Sequence, residues 1–266
     1  MWAAPRDDDR RLLFAALMAA LIALAWLALW VWGQFPHGRF LSHHGREAAR
    51  GNAALMVVFV AGWTLMVVAM MLPTSLPLVA LFRTLVRGRP DRARLTTLLV
   101  AGYLAVWTLF GVVVYCGDFV LHGAVERSAW LGANVVPFIG AGTLLVAGLY
   151  QFTPLKYHCL QKCRSPLSFV TEHWRGSRER SQSFLLGAHH GLFCVGCCWS
   201  LMLVMFAVGL GSLGWMLALG VVMAVEKNVS WGRKLSAPLG AVLIWWGLAL
   251  GAVAVLAASQ HTHLLH

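Results

Sequence analysis

A chain of 266 residues that is 59% apolar, with a mean hydropathy of +0.72, carries more hydrocarbon than a soluble domain of that size buries. This excludes an ordinary water-soluble enzyme and makes the bilayer the expected solvent. The net charge of +11 would point to nucleic acid in a soluble protein, but here the basic residues fall between apolar runs, so no nucleic-acid partner is expected.

Apolar runs of about twenty residues predict an all-α, polytopic membrane protein, one integral domain over residues 1–266. Seven spans are expected, at 12–32, 54–73, 95–117, 135–152, 191–210, 213–230 and 237–257. The first follows Arg10 and Arg11 and resembles a signal peptide. It is too long for one and lacks a small-residue cleavage site, so it is expected to stay as an anchor. Trp26, Trp30 and Trp32 here, and Trp245 and Trp246 in the last span, suit interfacial belts. With the amino terminus inside, 17 of the 21 Lys and Arg lie in inner segments, which predicts an inside amino terminus and an outside carboxy terminus.

The second span carries Met70-Met71-Leu72-Pro73-Thr74-Ser75-Leu76-Pro77, whose two prolines are expected to break the helix and free carbonyls. A broken membrane helix often marks a site, and Met70 and Met71 offer thioethers suited to copper(I). The alternative, which carries more weight, is that they fill irregular space.

The segment 153–183 is the largest inner loop. Pro154 and Pro166 bound a short helix in it, with Cys159 and Cys163 as i,i+4 neighbours on one face. The fifth span carries Cys194-x2-Cys197-Cys198, so five of the six cysteines fall within forty residues. Steps of 100° align His190, Cys194 and Cys197, with Cys198 slightly aside. The window Gly187-Ala188-His189-His190-Gly191 is polar and glycine-bracketed, so the span is expected to start at Gly191 and to hold all five cysteines at the inner surface. Thiolate and imidazole donors in this pattern select a soft metal, copper(I) or zinc. The expected ligands are Cys159, Cys163, Cys194 and Cys197, with Cys198 or His190 as the replaceable one and Met70 and Met71 as thioether candidates. Cys116, alone near the far end of the third span, reads as a packing residue. Glu226 and Lys227 end the sixth span, where a carboxylate is either functional or paired with its lysine neighbour. The carboxy-terminal His261, His263 and His266 read as a flexible tail.

These motifs resemble a bacterial domain-of-unknown-function family of predicted metal-binding integral membrane proteins. The resemblance rests on Met70-Met71-x-Pro73 with Pro77, Gly102-Tyr103-Leu104-x-x-Trp107, Tyr150-Gln151-x-Thr153-Pro154-Leu155-Lys156, Cys159-x3-Cys163-Arg164-Ser165-Pro166, His190-Gly191-x2-Cys194-x-Gly196-Cys197-Cys198-Trp199, and Glu226-Lys227. It implies membrane location and metal binding without supplying a reaction. Gly211 and Ser212 stand where a Met-Asn pair is common in that family, and Ser230 where a proline is.

The leading function is binding of copper(I) or zinc at an inward-facing Cys/His cluster, for metal transfer or homeostasis. It implies a metal-donor or membrane-complex protein partner besides the lipid bilayer. No P-loop is present, so nucleotide-driven pumping is not expected of this chain. Two alternatives stay open: a membrane thiol–disulfide oxidoreductase, and an assembly subunit stapled by a structural metal.

Overall fold

The structure, a computed structural model, describes residues 7–34, 53–127, 135–176, 178–208 and 213–264. Among them the chain is all-helical. In order come α1 (Asp7–Gln34), α2 (Ala53–Leu85), α3 (Arg92–Arg127), α4 (Val135–Tyr150), α5 (Pro154–Arg164), α6 (Pro166–His173), α7 (Glu179–Val208) and α8 (Leu213–Asn228). A 3-10 turn (Gly232–Leu235) then leads into α9 (Ser236–Leu264).

Among the described residues five helices are long and apolar enough to cross a membrane, against the seven spans expected; a sixth is added if α4 and α5, bent by 66° at their junction, count as one. The shortfall comes from α4 and α8. Each has 16 residues and rises only about 24 Å, less than the roughly 30 Å of a hydrocarbon core. The helices turn apolar side chains outward: Leu109, Val120, Trp245 and Val253 are all more than 60% exposed.

Three local expectations are corrected. Pro73 and Pro77 do not break α2, which runs through both. A proline at 73 leaves the Ala69 carbonyl without its helical donor, and the Trp26 indole of α1 donates to that oxygen at 3.2 Å. The helix of the fifth expected span, α7, begins at Glu179, not Gly191, so Cys194 lies about 22 Å along it and its three cysteines sit mid-helix. The window 187–191 stays helical because its glycines serve packing: a Cβ at Gly187 would stand 1.9 Å from Leu99 O, and one at Gly102 would stand 2.0 Å from Phe184 O. These two glycines let α3 and α7 touch backbone to backbone. Finally, α9 continues to Leu264, so His261 and His263 lie on a helix and not in a flexible tail.

Helix α7 is the hub, flanked by α3, α4 and α5, while α1 and α8 lean on α2 and α9 packs along α4. The basic segments gather at one end of this bundle. Arg89 in the α2–α3 turn bridges Glu179 at the start of α7 at 2.6 Å. The Phe82 and Trp174 rings meet edge to face at 5.0 Å, and Arg164 donates to Ser230 O at 2.8 Å.

Candidate metal centre

The short helix α5 exists because Thr153 caps it, its hydroxyl accepting from the Lys156 amide at 3.3 Å, and because Pro154 occupies the first turn, where its missing N–H costs nothing. A buried ion pair then anchors it. Lys156 Nζ lies 2.8 and 3.0 Å from the Glu226 carboxylate oxygens, and Ser236 Oγ donates to the same carboxylate at 2.7 Å. Gln151 Oε1 accepts from the same ammonium, and Arg164 donates to the Glu226 carbonyl. Glu226 therefore pairs with Lys156 of α5 and not with its neighbour Lys227. Losing one partner of such a pair costs about 3–5 kcal/mol, so the network fixes α5 firmly against α8 and α9. Farther out, Lys162 donates to Glu172 of α6 at 2.6 Å, and that hydrogen bond holds the Glu172 carboxyl below its ordinary value.

So positioned, α5 lays its cysteines on α7. Cys159 Sγ rests over Gly196, where an added Cβ would approach it to 2.6 Å. The Tyr150 hydroxyl donates to the Gly196 carbonyl from the other side. Cys163 Sγ is 3.9 Å from Cys197 Sγ, and Cys197 Sγ is 3.3 Å from Cys198 Sγ. Cys194 adjoins this group, its carbonyl accepting from Cys197 Sγ at 3.2 Å, and Cys163, Cys197 and Cys198 are its electrostatic neighbours. The three α7 cysteines are essentially inaccessible, whereas Cys163 is partly exposed. All five are free thiols.

Lys227 supplies the charge. Its ammonium is buried and donates to Cys194 Sγ at 2.9 Å and to Thr74 Oγ1 at 3.2 Å, with Met71 Sδ at 4.0 Å. A buried cation needs an anion or converging acceptors, and the Cys194 sulfur, the Thr74 hydroxyl and the Met71 thioether converge on this one. The Tyr103 hydroxyl bridges Cys194 Sγ at 3.1 Å and Met71 O at 3.3 Å.

The expected ligands thus divide. Cys163, Cys194, Cys197 and Cys198 come together, and Cys159 borders them across Gly196. Met71 faces the site through Lys227. Met70 packs on α8, its Cε 3.4 Å from where a Gly220 Cβ would lie. His190 is buried but turns to Ser75 Oγ at 3.3 Å and to the Tyr103 and Phe169 rings, leaving its Nδ1 without a hydrogen bond. Among the described residues no three Cys, His, Asp or Glu side chains form a ready-made metal site. Sequence reading missed Lys227, Tyr103 and Lys156 as parts of the site. Their signal was present as polar groups inside otherwise apolar motifs. The Gly211–Ser212 departure lies outside the described residues.

Fold and site define a helical protein with a buried cluster of soft sulfur donors held beside a fixed cation. A family model for PpoB2, described as a copper chaperone, matches residues 60–250, and the chain belongs to this copper-chaperone family. Its role is accordingly copper-related, and nothing in the family supports zinc. No curated protein and no solved structure matches the chain.

Proposed function

We propose that this protein resides in a bacterial inner membrane, takes copper(I) as cargo onto its cysteine cluster, and passes it to a partner protein. The observation that carries the reading is the convergence of Cys163 from α5 with Cys194, Cys197 and Cys198 from α7. Thiolates and thioethers are the donors that copper(I) prefers, and Met71 adds a thioether at the edge. Copper(I) is held by two or three of the four sulfurs. Cys163, the partly exposed one, receives it first, and the buried three retain it. Transfer is ligand exchange: a Cu–S bond to this chain breaks as one to the acceptor's donor forms, with no change of oxidation state.

Membrane residence is supported by the five long apolar helices and their outward apolar side chains. An amino terminus on the cytoplasmic side is supported by the gathering of basic segments at one end. There the reducing cytoplasm keeps the thiols available.

The test is copper(I) stoichiometry in detergent-purified protein with thiols counted in parallel. Cys194→Ser and Cys197→Ser are expected to lose bound copper(I) while still inserting. Cys116→Ser, on α3 outside the cluster, is expected to retain it. Full copper in both cluster variants would contradict the assignment. A wild-type protein that binds no copper and cycles two thiols with an oxidant would favour the oxidoreductase reading, for which the approach of Cys163 to Cys197 is the supporting geometry.

A further inference from the structure

Away from the sulfurs, two adjoining cavities of about 440 and 590 Å³ lie between α1 and the α2–α3 hairpin, sharing Phe14, Met18, Arg83, Arg87 and Arg92 along their walls. They form one groove. Its deeper part is apolar, built from Ala15, Ala19 and Ile22 of α1 and Leu76 and Ala80 of α2. Its mouth is cationic, with Arg89 joining the three shared arginines.

Two of these arginines, Arg83 and Arg92, keep buried donors unmatched. The Arg83 guanidinium lies 3.6 Å over the Phe14 ring, a contact that fixes its plane without satisfying its N–H groups. Arg83 Nη1 and Arg92 Nε are both buried and have no hydrogen-bond partner. Such donors call for an oxyanion, because a buried N–H without an acceptor is costly and the planar guanidinium fork suits phosphate. Arg92 is also the first residue of α3, so the positive end of that helix dipole points to the same mouth. The nearby acid Glu179 is already taken by Arg89.

We propose that the groove is a binding site for one anionic phospholipid, its phosphate on Arg83 and Arg92 and an acyl chain along the slot between α1 and α2. The apolar slot and cationic mouth together distinguish a lipid from a free phosphate, and basic pockets between membrane helices hold anionic headgroups by this chemistry. Bound there, the lipid staples α1 to α2. The proposal is independent of copper and rests on the membrane reading only in placing this groove at a lipid surface.

The test is native mass spectrometry of the delipidated, detergent-purified full chain, titrated with phosphatidylglycerol or phosphatidylcholine. One phosphatidylglycerol is expected to bind in preference. Arg83→Gln and Arg92→Gln are each expected to weaken it about fivefold, the worth of one basic side chain at a lipid surface. Ala80→Trp, at an exposed position in the slot, keeps every arginine and is expected to weaken binding too, which guards against misfolding of the arginine variants. Equal affinity for the two lipids would overturn the proposal. So would displacement of the lipid by inorganic phosphate with Ala80→Trp behaving as wild type, which would mean a headgroup-only anion site. If selectivity fails while copper binding stands, the lipid site alone falls; a chain that stays dispersed without detergent removes the membrane reading itself.

Discussion

Two residues that carry no sulfur control the sulfur cluster. Gly196 clears the space into which Cys159 Sγ settles, and Lys227 sets a cation against Cys194. Adding a methyl at Gly196 forces the Cys159 sulfur away, because the 2.6 Å approach is far inside van der Waals contact. Gly196→Ala is therefore expected to cost about 1–3 kcal/mol of overpacking and to raise the alkylation rate of Cys159 in the folded protein. Quantified thiol labelling by peptide mass spectrometry checks this, and unchanged Cys159 reactivity would show that the sulfur does not depend on that gap. Lys227 has a sulfur, a hydroxyl and a thioether as its neighbours in place of a carboxylate. That environment sets it apart from Lys156, whose ion pair with Glu226 is purely architectural.

Among the elements, α7 matters most, since it carries three cysteines and meets α3 at backbone contact. At Gly187 an added Cβ meets Leu99 O, a backbone atom that no side-chain rotation can move aside. Gly187→Ala is expected to separate the two helices and lower stability by about 1–3 kcal/mol or more. Thermal unfolding in detergent measures the loss, and an unaltered midpoint would mean that the helices are not so tightly apposed. The same contact explains an error of sequence reading. Two glycines around a His pair look like the polar margin of a span, yet they are the surface on which α3 packs, so α7 begins twelve residues earlier than Gly191. Proline misled in the same direction in α2, where the freed Ala69 carbonyl is served by a tryptophan from another helix, a partner that no local pattern displays. The Cys-x3-Cys helix was legible because its boundaries are local: Thr153 caps it and prolines stand at both ends. The i,i+4 facing of its cysteines was legible for the same reason. The pairing of Glu226 with Lys156, 70 residues away, was not, because adjacency in sequence favoured Lys227.

For the whole molecule, the path of the chain turns on the two 16-residue helices α4 and α8. The gathering of the α2–α3 turn, the start of α7 and the α8–α9 turn at one end requires each to return the chain to that end, whatever depth it reaches. Reporters placed in the α2–α3 turn and the α8–α9 turn are accordingly expected to give the same, cytoplasmic answer, and a reporter at the carboxy terminus the opposite one. Opposite answers from the two turns would overturn this topology. The most direct test of the account is X-ray absorption at the copper edge on wild-type protein loaded with copper(I) in detergent. The account predicts a first shell of sulfur alone in the wild type, with copper lost from Cys194→Ser. A shell dominated by nitrogen or oxygen, or a sulfur shell that survives intact in Cys194→Ser, would contradict the buried cysteine cluster as the place where the cargo is held.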